Sequence, residues 1–125
     1  MSNTKKILVG EDSSVIQNLT KSVLSFEDYE MKAAKNGQQV LDMLAKEDFD
    51  LILMDISMPI LDGTACTKAI RELKDPKKSK LPIIAISGNI RNYTMDEFRK
   101  LGFDDFIQKP LDYDKLLATV KKFLS

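Results

Sequence analysis

A chain of 125 residues, 43% hydrophobic and 30% charged, has room for one domain around one sizeable core. Nineteen Lys and Arg balance nineteen Asp and Glu, so no overall charge draws it to nucleic acid or an anionic membrane. The single cysteine, Cys66, excludes an internal disulfide, and the absence of histidine excludes His-based triads, imidazole metal sites and a phosphohistidine carrier.

The N-terminal MSNTKKILVGED has no secretory apolar region, and no apolar run approaches bilayer length, so a reducing cytoplasm is the expected compartment. Lys5 to Val9 reads as a short strand closed by Gly10. Ser14 and Gln17 fit a capping box for a helix whose apolar positions are Ile16, Leu19, Val23 and Phe26. Tyr29 to Ala33 reads as a more exposed strand. After the break at Asn36-Gly37, Val40, Leu41 and Leu44 give the next helix its apolar stripe. Leu51 to Met54 is a third strand, buried on both faces. Thr64 to Leu73 is a third helix, stopped before Asp75-Pro76, and Lys74 to Lys80 reads as a solvated loop. Pro82 opens a fourth strand, Ile83 to Ile86. Thr94 and Glu97 form a further capping box for a short helix ending at Gly102. Phe106 to Gln108 is the fifth strand, and Tyr113 to Leu124 a final helix with Leu116, Leu117, Val120 and Phe123 on one side.

Five strands alternating with five helices imply an α/β fold with a doubly wound parallel sheet, one domain over residues 1–125. Ligands of such sheets bind beyond the carboxyl ends of the strands. Those ends carry Glu11-Asp12, Asp55, Ser87 and Lys109 on the first, third, fourth and fifth strands; the other strand ends in Ala34-Lys35, which offers no such chemistry. If the first and third strands are neighbours, three carboxylates meet about 5 Å apart, the spacing of adjacent strands. Like charges that close raise one another's pKa unless a cation neutralises them. An all-oxygen donor set points to a hard ion, with Mg²⁺ the best candidate. Lys109 alone cannot balance three acids, but with a divalent ion it can, while binding an anionic group. Metal, lysine and the Ser87 hydroxyl around a carboxylate suit phosphoryl transfer to that carboxylate. Taken singly, each residue has a plainer reading: Asp12 or Asp62 as a helix cap, Lys109 as a surface lysine, Ser87-Gly88 as a turn, Cys66 as a small core residue.

Together, Glu11-Asp12, Asp55 with Met58-Pro59, Asp62-Gly63, Ser87-Gly88 and Lys109-Pro110 make the whole chain resemble the receiver domains of two-component response regulators, including the single-domain chemotaxis type. The resemblance implies a flavodoxin-like sheet of order 2-1-3-4-5. It also implies that Asp55 accepts a phosphoryl group from a partner's phosphohistidine. Glu11, Asp12, Asp55 and the Ser57 carbonyl would hold Mg²⁺, Lys109 would pair with the phosphoryl oxygens, and the Ser87 hydroxyl would move inward to them. Phe106 matches the family's switch aromatic, against the plainer reading of an aromatic packed in a strand. The Lys109-Pro110 bond would be cis, and Ser57 and Asn89 would tune phosphate lifetime. Glu11 stands where Asp is commoner, Ser87 where Thr is frequent, and Phe106 lacks a Tyr hydroxyl. Donors, a histidine kinase or a histidine phosphotransfer protein, would dock near Ser14, Val15 and Asn18. A downstream protein would meet the face of the fourth helix, fifth strand and fifth helix, with Arg91, Lys100, Gln108, Tyr113 and Lys115. With no output domain expected, the protein would act through non-covalent partners and not as an enzyme on external substrates.

Three other readings compete, of which a degenerate receiver used only as a scaffold is disfavoured because every site position is occupied. A Mg²⁺-dependent phosphohydrolase using Asp55 as nucleophile wants another Asp two residues on, where Ser57 stands, and a cap domain for which there is no length. An FMN carrier would place phosphate against Glu11-Asp12, which would repel it without a metal.

Overall fold

A computed structural model describes residues 4–88 and 94–124. Its elements in chain order are β1 (Lys6–Gly10), α1 (Ser14–Phe26), β2 (Glu30–Ala34), α2 (Gly37–Lys46), β3 (Leu51–Asp55), α3 (Gly63–Arg71), α4 (Pro76–Ser79), β4 (Ile83–Ser87), α5 (Met95–Leu101), β5 (Asp105–Gln108) and α6 (Tyr113–Leu124). All five strands run parallel in the order β2-β1-β3-β4-β5, as the resemblance implies.

The described residues form six helices, not five. The extra one, α4, lies in the lysine-rich segment read as a loop. Asp75 caps it by accepting the Lys77 N–H at 2.9 Å, and Pro76 supplies a preset φ in the first turn. The expected fourth and fifth helices are therefore α5 and α6.

Side-chain alternation along the buried strands divides the core in two. Leu8, Ile52, Met54, Ile83 and Ala85 meet Val40 and Leu44 of α2, Cys66 and Ile70 of α3 and Phe98 of α5. Ile7, Val9, Leu51, Leu53, Ile84 and Ile86 meet Leu24 of α1 and Leu116 and Val120 of α6. Both central strands, β3 and β4, are buried along their whole length. Each of their Leu, Ile and Met side chains contributes about 1.5–3 kcal/mol by leaving water, so these strands anchor the sheet.

Helix α1 departs from its expected register. Its cap is Ser13, whose hydroxyl accepts the Ile16 N–H at 3.3 Å, and not Ser14. Its fully buried residues are Thr20 and Leu24; Leu19 is 50% and Phe26 88% exposed. The helix is held in this rotation at both ends. The Gln17 amide donates to the Glu11 carbonyl, and Glu27 pairs with Lys121 of α6 at 3.2 Å. Leu24 then faces the core while Val15, Leu19 and Phe26, spaced four and seven apart, face solvent.

Candidate functional site

Strand register brings the acids together. Gly10 of β1 pairs with Met54 of β3, so Glu11 and Asp55 leave the sheet side by side. Ser87 pairs with Gln108, and the Lys109 N–H donates to the Ser87 carbonyl at 2.9 Å, which carries Lys109 to the same rim. Glu11, Asp12 and Asp55 offer carboxylate oxygens all within 4.8 Å of one another.

Asp55 is 2% exposed, and both its oxygens are engaged. Oδ2 accepts from the Lys109 ammonium at 2.7 Å, and Oδ1 from the Ser57 N–H at 3.0 Å. Glu11 is 1% exposed. Its Oε2 accepts the Ser13 N–H at 3.1 Å, while Oε1 lies 3.2 Å from the Lys109 ammonium without hydrogen-bond alignment and has no other partner among the described residues. Burial, reinforced by the neighbouring Asp55 charge, pushes the Glu11 carboxyl up, against the pull of the Ser13 N–H and Lys109. Burial works against the Lys109 charge, yet hydrogen bonding and attraction to Asp55, then Glu11, hold its ammonium above the usual lysine range. One lysine thus faces three carboxylates, two of them buried. A buried acid oxygen with no aligned donor, in an oxygen-only cluster, fits a hard divalent cation.

The loop after β3 is shaped by close approaches. A Cβ on Gly63 would sit 2.3 Å from the Asp55 carbonyl oxygen, so only glycine lets α3 start against the strand that presents Asp55. A Cβ on Gly37 would meet the Leu61 carbonyl at 2.3 Å, and the Gly37 N–H donates to that same oxygen at 2.9 Å. The Leu61 N–H bonds back to the Pro59 carbonyl at 2.7 Å across Ile60, whose φ of 68° is costly for a β-branched residue. Met58 is buried in the core beside this loop.

The remaining expected residues fall as follows. Asp12 is exposed and completes the acid cluster, whereas Asp62 is a helix cap: its Oδ1 accepts the Ala65 N–H at 2.8 Å. Ser87 is buried at the end of β4. Phe106 is half-buried and stacked on Phe98, with centroids 5.1 Å apart. The Lys109-Pro110 bond is cis. Ser57 is exposed beside Asp55; Asn89 and Arg91 lie outside the described residues. Cys66 is buried, its thiol pushed up to about 12 by burial and then by Asp62, so it is a packing residue and not a reactive one. Sequence reasoning missed Ser13, Gln17 and Gly37 as supports of the site. Gln17 drew notice only as a capping residue, and the Gly37 contact joins segments 24 positions apart, which no local pattern displays.

Residues 7–121 match the family described as response regulator receiver domain. A hybrid signal transduction histidine kinase of Dictyostelium discoideum is 37% identical over 121 residues, 93% of this chain but 7% of that protein. The polar-differentiation response regulator DivK of Brucella ovis is 27% identical over 97% of both chains. In structure, the receiver domain of a Pseudomonas aeruginosa sensor histidine kinase, solved with a magnesium ion in its active site cleft, superposes with a TM-score of 0.87 at 26% identity, covering 97% of this chain and 98% of that one. The chemotaxis response regulator CheY4 of Vibrio cholerae gives 0.86 at 25% identity, covering 97% and 99%. Among the described residues, no helix is long and apolar enough to cross a membrane.

Proposed function

Because this chain belongs to the response regulator receiver domains of two-component signalling, we propose that it is a phospho-aspartate switch or relay whose acceptor is Asp55. The observation that carries this reading is the placement of Asp55 between the Lys109 ammonium and the Ser57 N–H, inside a cluster with Glu11 and Asp12. An Asp55 oxygen forms the new bond to phosphorus as the bond from phosphorus to the donor's imidazole nitrogen breaks. The electron pair of that bond leaves with the imidazole, which takes up a proton. Lys109, already beside Asp55, then meets the added negative charge on the phosphoryl oxygens. The Ser87 hydroxyl binds one of those oxygens.

Glu11, Asp12, Asp55 and the Ser57 carbonyl would hold Mg²⁺. The orphaned Glu11 oxygen and the oxygen-only donors support that assignment, as does the magnesium in the related sensor kinase receiver. When bound, the ion neutralises charge crowded at the rim.

Movement of Ser87 would draw Phe106 off Phe98. An aromatic stack of this kind is worth about 0.5–1.5 kcal/mol, small enough for differential binding at the phosphoryl group to outweigh. The displaced ring borders a cleft of about 530 Å³ between β5 and α6, lined by Gln108, Lys109 and Lys115 among others, where a downstream protein would sense the change. Exposed Ser57, with Asn89, tunes access of hydrolytic water.

A histidine kinase or a histidine phosphotransfer protein is the donor. Val15 and Leu19, 68% and 50% exposed on the helix that follows Glu11, form its docking face. The match to DivK over 97% of both chains supports action as a response regulator. Acetyl phosphate with Mg²⁺ should add one phosphoryl group, read by intact mass, and EDTA or Asp55→Asn should abolish the addition. An unmodified wild-type protein, also with a phosphorylated phosphotransfer partner present, would overturn the reading.

A further inference from the structure

On the sheet face away from α1 and α6, the C-terminal parts of α2 and α3 bound an apolar groove of about 400 Å³. Leu41, Leu44 and Ala45 form one wall, and Ala69 and Leu73 the other; Leu73 is 37% exposed. In a right-handed βαβ sheet the helix C-termini lie over the strand N-termini, so this groove is at the opposite end of the molecule from Asp55. It is also separate from the donor face on α1 and the cleft beside α6.

Its rim is basic. Lys74 and Lys78 border the groove together with one acid, Asp75, which caps the Lys77 N–H. Between Lys68 and Lys80 six cationic side chains stand against two acidic ones, in a chain of zero net charge. Arg71 is consumed internally by the Gly102, Ser79 and Leu81 carbonyls and by Asp104. Lys74, Lys77, Lys78 and Lys80 make no ion pair with a described residue. On a chain of zero net charge, two lysines without an ion pair to a described residue at the apolar slot itself, Lys74 and Lys78, in a segment with four more cationic side chains, favour an acidic partner.

We propose that the α2–α3 groove docks an acidic amphipathic helix of a partner protein. Its apolar side chains, at three- and four-residue spacing, enter between Leu41, Ala45, Ala69 and Leu73, while its flanking Asp and Glu pair with Lys74 and Lys78. A groove between two helices accepts a third by interlocking ridges, whereas an extended strand needs an open sheet edge that this face does not offer. Another copy of this chain is the poorer occupant, because two-fold pairing would set the same lysines against each other.

The test titrates the ¹⁵N-labelled full chain with a synthetic helical peptide of about fifteen residues, about four turns. The peptide carries Leu at helical spacing between Glu flanks, and its control has Lys in place of Glu. Amide shifts should cluster in α2 and in residues 69–78. Affinity should fall about tenfold with Leu73→Asp, and also when salt rises from about 0.05 M to about 0.5 M. The double change Lys74→Glu with Lys78→Glu should reverse the preference toward the Lys-flanked peptide, while Asp55→Asn binds as wild type. Four results would overturn the proposal: no shifts at millimolar peptide, shifts on another face, equal binding of the two peptides by wild type, or Leu73-dependent self-association, which would give the groove to another copy of the chain.

Discussion

Glu11 and Thr67 each bury a side-chain oxygen without a hydrogen-bond partner among the described residues, and their surroundings separate a binding group from a packing compromise. Thr67 is 0% exposed, and its methyl lies 3.0 Å from where a Cβ on Gly102 would be. Its hydroxyl is desolvated with nothing gained, so Thr67→Val should raise stability by about 1 kcal/mol, read as a higher urea midpoint at unchanged m-value. Glu11 is different because its oxygen without an aligned donor lies in the acid cluster, 3.2 Å from the Lys109 ammonium. A carboxyl whose folded pKa is raised binds a proton more readily folded than unfolded, so its ionised form weighs against folding at neutral pH. Glu11→Gln should therefore raise the melting temperature in EDTA while weakening Mg²⁺ binding about tenfold or more. A variant that loses both stability and binding would mean Glu11 is structural.

At the scale of elements, the helix caps give the clearest pH dependence. The Ala65 N–H, then the Thr64 hydroxyl, hold the Asp62 carboxyl below the usual carboxylate range. A lowered folded pKa contributes stability that is complete above the unfolded value, about pH 4, and is lost as pH falls through the folded value. Asp62→Asn keeps a capping oxygen but cannot titrate. Wild type should thus lose stability relative to Asp62→Asn as pH drops below about 4, measured by urea unfolding at each pH. The exposed face of α1 gives a further contrast. Phe26→Ser removes a side chain already in water, so it should change stability by no more than about 0.5 kcal/mol. Leu19→Ser, nearer the acids, should slow phosphotransfer from a phosphohistidine donor several-fold while leaving acetyl phosphate labelling intact. Equal slowing with both donors would remove α1 as the docking face.

Those elements also show what the amino-acid order discloses. Strands β3 and β4 were legible because Leu51–Met54 and Ile83–Ile86 are unbroken apolar runs, and only burial on both faces uses such runs. The α5 capping box and the Gly102 terminus, at φ 106°, were legible because their bonds are local. The face of α1 was not. Two interleaved sets at helical spacing compete there, and the one that wins contains Thr20, a residue that pattern reading counts as polar. Nor was α4, since its cap, Asp75-Pro76, also reads as the stop after α3. The acid cluster was legible as strand-end chemistry, and the β1–β3 register realises it. The supports behind it, Gln17, Gly37 and the turn at Ile60, depend on contacts that exist only once the chain has folded.

For the whole molecule, the parallel sheet sets a polarity. Chemistry gathers at the carboxyl ends of β1, β3, β4 and β5, and the basic groove lies at the other end, so a donor and a groove-bound partner can occupy the protein together. In the proposed function Asp55 is the acceptor among three clustered acids. Borohydride reduction of the protein after acetyl phosphate treatment converts an aspartyl phosphate to homoserine, and peptide mass spectrometry then locates it. Homoserine is expected at position 55, dependent on Mg²⁺, with Asp12 and Glu11 unchanged. Reduction at either of those acids, or at none, would contradict it.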